Sequence, residues 1–321
     1  MRAAGVRALG APLEALVLPE PPAPSADEVL INVQAAGVGN WDDLVRTGGW
    51  DVGVRPPMAL GVEAAGIVRI VGTQVTRFVP GDSVLVHSAP LRYQGTWAEQ
   101  FLADGADVAR MPPELEWAVA GALPVPLLTA LQVVAATACG PDDIVLVYGA
   151  GGVTGGLIVA MAAPTGAKII ATTSAEGTER VRGYGAGEAI DYRDPAWRAL
   201  AKRASPRGFS IVVNAVRGAA AGLLDLVADG GRLATITGDP PASERGIAIT
   251  DSYVAPDGET LEAAAAALAA RGLSIAIAGT YALAEAATAL DQATRGRGGG
   301  ARVVLPARIN GLSVSRQRLA R

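Results

Sequence analysis

Apolar and polar positions follow two different rhythms along the chain, and the change falls near residue 121. Up to Gly121 the apolar residues come in short runs, Glu28–Val33, Gly66–Val71 and Ser83–His87, cut by Pro80-Gly81-Asp82 and Pro112-Pro113. Short strands at close spacing with few helices predict a partly open, β-barrel-like domain. Asp42, just after Asn40, is placed to cap one or two helical turns over Leu44–Arg46. From Leu123 the period lengthens. Leu127–Thr137 reads as a helix, and then nearly continuous apolar strands, Ile144–Tyr148, Lys168–Thr172, Ile211–Ala215 and Leu233–Thr237, alternate with helical segments. That alternation predicts an α/β domain with a parallel sheet covered on both faces. Beyond Asp257 come helices over Glu259–Arg271 and Ala284–Arg295 and a last strand, Ala301–Leu305. The boundaries expected are therefore 1–121, 122–257, 258–306 and a flexible tail, 307–321.

The segment from Asp143 to Ala163 joins a strand, a glycine-rich turn and a helix of small residues. Gly149 permits the tight turn, Gly151 and Gly152 let the backbone approach a pyrophosphate, and Gly155 lets the helix pack closely on its strand. Val153 and Thr154 open the helix, whose free N–H groups and dipole favour phosphate. Because a second strand follows about twenty residues on, the turn reads as a dinucleotide site. An NAD site usually ends that strand in Asp or Glu for the ribose 2′-hydroxyl, whereas here the residues are Ala171-Thr172-Thr173-Ser174. The hydroxyls of Thr172, Thr173 and Ser174, with Arg180 or Arg182 nearby, suit a 2′-phosphate, so NADPH is the expected cofactor. Glu176 is the carboxylate that opposes this reading.

Composition narrows the chemistry. The 321 residues carry a formal net charge of −4, which speaks against sequence-independent nucleic-acid binding. With one cysteine, Cys139, and one histidine, His87, neither an intrachain disulfide nor a Cys/His zinc site is possible, although a carboxylate-only metal site stays open. The uncharged stretches Trp117–Pro141 and Ile144–Ala167 are long enough to span a bilayer, but prolines and glycines break them, so buried core elements are expected and no membrane partner. Residues 1–18 lack an uninterrupted apolar run, so no secretory signal is expected and a cytoplasmic location is.

Ala36-Gly37-Val38, Leu60-Gly-Val-Glu-Ala-Ala-Gly-Ile-Val68, Gly81-Asp82, Leu128-Thr-Ala-Leu131 and the glycine turn occur in an order that resembles the medium-chain dehydrogenase/reductase superfamily. The chain is most similar to its zinc-free quinone oxidoreductase (zeta-crystallin-like) branch. The resemblance covers Met1 to about Pro306. It implies a GroES-like catalytic domain, a Rossmann cofactor domain, a return of the chain to the first domain, and an active site in the cleft between them. Zinc-dependent members carry ligands at positions that correspond here to Gly39, Val62 and about Val125, none of which can ligate. Without a Lewis acid to acidify an alcohol, reduction of a quinone or an activated enone is favoured.

The resemblance also implies roles for single residues. Asn40 and Asp42 lie in the loop that faces the nicotinamide, Thr129 lies where relatives hold the carboxamide or nearby ribose, and Trp50 with Leu127 is expected to wall the pocket. Related enoyl-thioester reductases carry a tyrosine proton donor near the Trp50 position, and an indole N–H cannot serve as that acid. Tyr93, Tyr253 and His87 are the candidate replacements, Tyr253 also as a pocket residue. Tyr192 matches a tyrosine that stacks near the 2′-phosphate, while Gly177 stands where those enzymes often carry a base. Asn214, Thr237, Gly238 and Arg297 match loops that approach the cofactor. A homodimer joined through the sixth Rossmann strand, roughly Ile247–Val254, is implied too. Two alternatives stay open: a ketone or polyketide-tailoring reductase on the same fold, and a non-catalytic NADPH-binding protein.

Overall fold

A computed structural model describes residues 1–296 and 299–306 of the chain. Its N-terminal strands are β1 (Arg2–Val6), β2 (Glu14–Val17) and β3 (Glu28–Val38), followed by helix α1 (Trp41–Thr47) and strands β4 (Met58–Ala59), β5 (Glu63–Val71), β6 (Ser83–His87), β7 (Gln100–Asp104) and β8 (Val108–Arg110). Strand β3 is the spine of this part. Its first half pairs with β7 through Glu28–Asn32 and its last residues, Ala36–Val38, pair with the C-terminal strand. The change of partner is possible because the β3–β5 register shifts between Val33 and Ala35, and such irregularities bend a strand. A small antiparallel sheet, β2-β1-β4, closes beside it.

Helices α2 (Trp117–Gly121) and α3 (Pro124–Ala136) lead into β9 (Ile144–Tyr148), α4 (Val153–Ala162), β10 (Lys168–Thr173), α5 (Thr178–Tyr184), β11 (Glu188–Asp191), α6 (Trp197–Ala204), β12 (Phe209–Asn214), β13 (Val227–Thr235) and β14 (Ala248–Asp251). These six strands form one parallel sheet in the order β11-β10-β9-β12-β13-β14. In order of appearance that is 3-2-1-4-5-6, the doubly wound Rossmann arrangement, whose direction reverses between β9 and β12. The chain continues through α7 (Gly258–Ala270), β15 (Ile277–Ala282), α8 (Ala286–Thr294) and β16 (Ala301–Leu305), and β16 pairs with β3.

Helix α3 joins the two sheets. It is apolar around most of its circumference, and Leu123, Leu127, Leu128, Ala130 and Val133 are buried in one core with Ala35, Ala65 and Leu85 of the barrel and Val145 and Val147 of the parallel sheet. The two uncharged stretches are thus α2–α3 and β9–α4, and among the described residues no helix is long and apolar enough to cross a membrane. The short runs at β6, β9 and β16 begin and end as expected from sequence, while β3 is longer and β15 was not foreseen. The expected tail, 307–321, lies outside the described residues.

Trp97 supports the barrel directly beneath the cleft. Its ring is fully buried and its Nε1 donates to the Gly37 carbonyl at 2.9 Å. Trp97→Ala is expected to destabilise the protein by about 3–5 kcal/mol, measured by urea unfolding, and Trp97→Phe by less, because most of the ring volume is kept.

Candidate functional site

A cleft of about 550 Å³ opens where the carboxyl ends of β9 and β12 diverge, the place where doubly wound sheets bind ligands. The barrel side supplies Val38, Gly39, Asn40, Trp41, Trp50 and Glu63. The parallel-sheet side supplies Gly149, Gly152–Gly155, Thr237, Gly238 and Tyr253, with Val125, Pro126 and Thr129 of α3 between them.

Gly149 adopts φ +90°, and its N–H donates to the Thr172 hydroxyl at 2.9 Å. A Cβ on Gly155 would sit 2.3 Å from the Gly149 carbonyl oxygen, so only glycine lets α4 begin this close to the turn. The turn therefore aims the unpaired N–H groups of α4 into the cleft. This cradle fits a dinucleotide pyrophosphate through residues Gly149, Gly152, Val153, Thr154 and Gly155. Thr129 fits the other end of such a cofactor. Its hydroxyl donates to the Val125 carbonyl at 2.7 Å, which leaves its oxygen free to accept from an amide. Asn40 precedes α1 without a side-chain capping bond and lines the cleft.

Three buried titratable groups brace this wall through backbone atoms. Asp42 Oδ2 accepts from the Gly39 N–H at 2.8 Å, Glu63 Oε2 accepts from the Val125 N–H at 2.8 Å, and His87 Nδ1 lies 3.0 Å from the Val62 carbonyl. Burial pushes the Asp42 carboxyl up to about 8 against the opposing Gly39 bond. Burial also drives Glu63 well above the carboxylate range, with Asp42 adding to it, and lowers His87 to about 4. His87 is thus a neutral ring whose Nδ1–H donates to Val62. Among the described residues no three His, Cys, Asp or Glu side chains are grouped to hold a metal ion.

The family described as "Alcohol dehydrogenase GroES-like domain" matches residues 25–113, and that described as "Zinc-binding dehydrogenase" matches residues 184–304. A quinone oxidoreductase of Lama guanicoe is 31% identical over 248 residues, covering 75% of this chain and 74% of the relative. The chain belongs to the medium-chain dehydrogenase/reductase family, in its quinone oxidoreductase branch. A solved NAD-dependent alcohol dehydrogenase superposes with a TM-score of 0.84 at 27% identity, covering 96% of this chain and 100% of that one. The Escherichia coli quinone oxidoreductase complexed with NADPH superposes at 0.83 with 23% identity, covering 95% and 100%, and so shares the fold. Membership makes the protein an oxidoreductase that works with a nicotinamide cofactor.

Several residues expected at the site stand elsewhere. Leu127 is fully buried in the core that joins the sheets, because α3 is apolar on nearly every side, and the wall is made by Val125 and Pro126 instead. Tyr93 packs against the small cluster of Met1, Ala3, Leu16, Leu18, Ala59 and Ala98, away from the cleft. Asp42 is enclosed behind Gly39 and does not line the cavity. Thr172 and Thr173 are buried beneath the turn, Thr173 under Gly151 and Gly177, so neither hydroxyl faces outward. Arg180 donates to the Gly151 carbonyl at 2.6 Å and braces the turn from outside. Asn214 is likewise buried, donating to Thr235 and Thr237 and accepting from the Val216 N–H. Ser174 and Tyr192 lie at the ends of β10 and β11, where the Arg193 guanidinium stacks 5.7 Å from the Tyr192 ring centre and pairs with Glu176 at 3.2 Å. Tyr253 does line the cleft, 75% exposed, with Asp251 raising its hydroxyl. Arg297 falls outside the described residues.

Sequence reasoning passed over Trp41, Glu63, Arg217 and Arg302, all of which line the cavity. Glu63 had a signal, a lone carboxylate inside the apolar run Leu60–Val68. The arginines had none, since their placement depends on strands far apart in sequence.

Gly155→Ala is expected to weaken binding of the nicotinamide cofactor, titrated as NADPH and as NADH by fluorescence, at least tenfold, because the new methyl group strikes the Gly149 carbonyl. The Asp42 carboxyl makes a second prediction. The unfolded chain releases this proton above about pH 4 whereas the folded chain keeps it to about pH 8, so between those values stability falls as pH rises. Denaturant unfolding at pH 5 and pH 8 is expected to show that fall, and Asp42→Asn to shrink it by roughly 2–5 kcal/mol.

Proposed function

We propose that the protein is an NADPH-dependent reductase that acts on quinones or α,β-unsaturated carbonyl compounds without a metal. The observation that carries this reading is the single cleft in which a glycine-turn cradle faces Asn40, Trp50 and Thr129 across a mainly apolar cavity. When bound, the nicotinamide supplies a hydride. The protein's share is to place donor and acceptor and to exclude water. Thr129 accepts from the carboxamide, Asn40 donates toward the acceptor's oxygen, and Trp50 with Val125 walls the acceptor. The metal-free reading is supported by Gly39, Val62 and Val125, which offer no ligating side chain. An electron-poor acceptor needs no acidified hydroxyl, only a hydride in line and donors for the charge that develops on oxygen.

For the choice of NADPH, the support is that the half-buried Ser174 follows β10 where an NAD site usually has a carboxylate, and that Arg193, held over Tyr192, is a cation at that edge. Glu176 is already neutralised by Arg193. We place the domain boundaries at 1–121, 122–257 and 258–306, the last returning to the first domain through β16, and the protein in the cytoplasm. Strand β14 lies at an edge of the parallel sheet and supports a homodimer there.

NADPH is expected to raise the melting temperature by several degrees more than NADH at equal concentration, and Arg193→Ala to remove most of that difference. Purified protein is expected to oxidise NADPH at 340 nm with 1,4-naphthoquinones or enones. Binding without turnover across both acceptor classes would leave only a nucleotide-binding role.

A further inference from the structure

We propose that Glu63 is the acid that protonates the carbonyl oxygen of the acceptor during reduction. The inference rests on the reductase reading above. Strand β5 brings Glu63 to the cleft wall beside Gly39, Asn40 and Val125. The side chain lies flat across Gly37 of β3, where a Cβ would come within 2.2 Å of Oε1, so the carboxyl occupies space that only glycine leaves open. The Val125 N–H is bound to Oε2, which leaves Oε1 to carry the proton in the step proposed.

The charged and titratable groups around Glu63 are few. Asp42 on α1 is a second buried carboxyl, His87 is the cross-strand partner of Glu63 on β6, and Arg302 of β16 lines the same cleft. His87 is neutral and turned to the Val62 carbonyl. Burial, with Asp42 adding to it, raises the Glu63 carboxyl well above its ordinary value and so favours its protonated form. A carboxylic acid kept neutral by an apolar wall is a strong donor to an oxygen that gains negative charge.

The step balances as follows for an enone. A C–H bond forms at the β-carbon with a hydride taken from the reduced nicotinamide, and the C=C electron pair shifts toward the carbonyl oxygen. That oxygen forms an O–H bond while the O–H bond of Glu63 breaks. The enone is reduced by two electrons to an enol, which tautomerises in water, and the cofactor is left oxidised. The Glu63 carboxylate then takes a proton from water. A quinone takes up the same hydride and proton to become the hydroquinone.

Two measurements on the full chain test this. Infrared spectroscopy at pH 7.5 is expected to show a protonated carboxyl C=O band that disappears in Glu63→Gln. Single-turnover mixing of NADPH-loaded protein with a 1,4-naphthoquinone or an enone is expected to be slowed about 10²–10³-fold in Glu63→Gln, with the NADPH dissociation constant within twofold of wild type. Gly37→Ala, which keeps the carboxyl but displaces it, is expected to slow the same step and shift the band, and it serves if Glu63→Gln does not fold. Turnover by Glu63→Gln within threefold of wild type, or a wild-type spectrum without the Glu63 band, overturns the assignment. A wild type that shows the band and binds NADPH yet reduces neither acceptor overturns the reductase reading instead.

Discussion

The cleft depends on the burial of α3. This helix has almost no polar face, so it is stable only when enclosed, and the barrel, α7 and α4, which itself packs on the parallel sheet, together enclose it. Each of its large side chains contributes roughly 1.5–3 kcal/mol when removed from water. Enclosure sets the distance between the two sheets and leaves the first turn of α3 at their junction. There the Val125 N–H meets Glu63, and one turn later Thr129 reaches the cavity. The same apolar contacts that hold the two halves together thus place two polar groups at the site.

Around that junction the chain solves a second problem, how to bury polar groups in a wall that carries no ligand set. Asp42, Glu63 and His87 are each bound to the backbone of a different position, Gly39, Val125 and Val62. These are the positions at which the zinc-dependent members of the family, by resemblance, carry metal ligands. A buried charge is costly unless paired, and burial shifts each group toward its neutral form, with a backbone hydrogen bond to hold it. The result is a wall whose carboxyl and imidazole groups are tied to the backbone, beside Arg217 and Arg302 in the same cleft.

Much of this was legible from residues alone, for identifiable reasons. Strands β6, β9 and β16 are apolar runs closed by turn residues, so their limits show in sequence. The glycine turn was legible because its constraint is local, the contact between Gly155 and the Gly149 carbonyl lying within one βα unit. Strand β15 was not, since its alternating Ile277–Ala282 is rich in small residues and only half-buried. Leu127 was misplaced because a helix that is apolar all round gives no sign of which face meets a cavity. Thr172, Thr173, Arg180 and Asn214, expected to bind the cofactor, lie beneath or behind the turn and support it.

Local spacing therefore determined the two-part α/β architecture, the tight glycine turn that opens α4 and the lack of ligating side chains at Gly39, Val62 and Val125, because these depend on residues close in sequence or on residue type itself. Tertiary structure alone decided which side chains face the cleft and which are shifted toward their neutral form. Glu63, Val125 and Gly37 lie on three separate elements, and the carboxyl they enclose is raised by burial that no single segment provides.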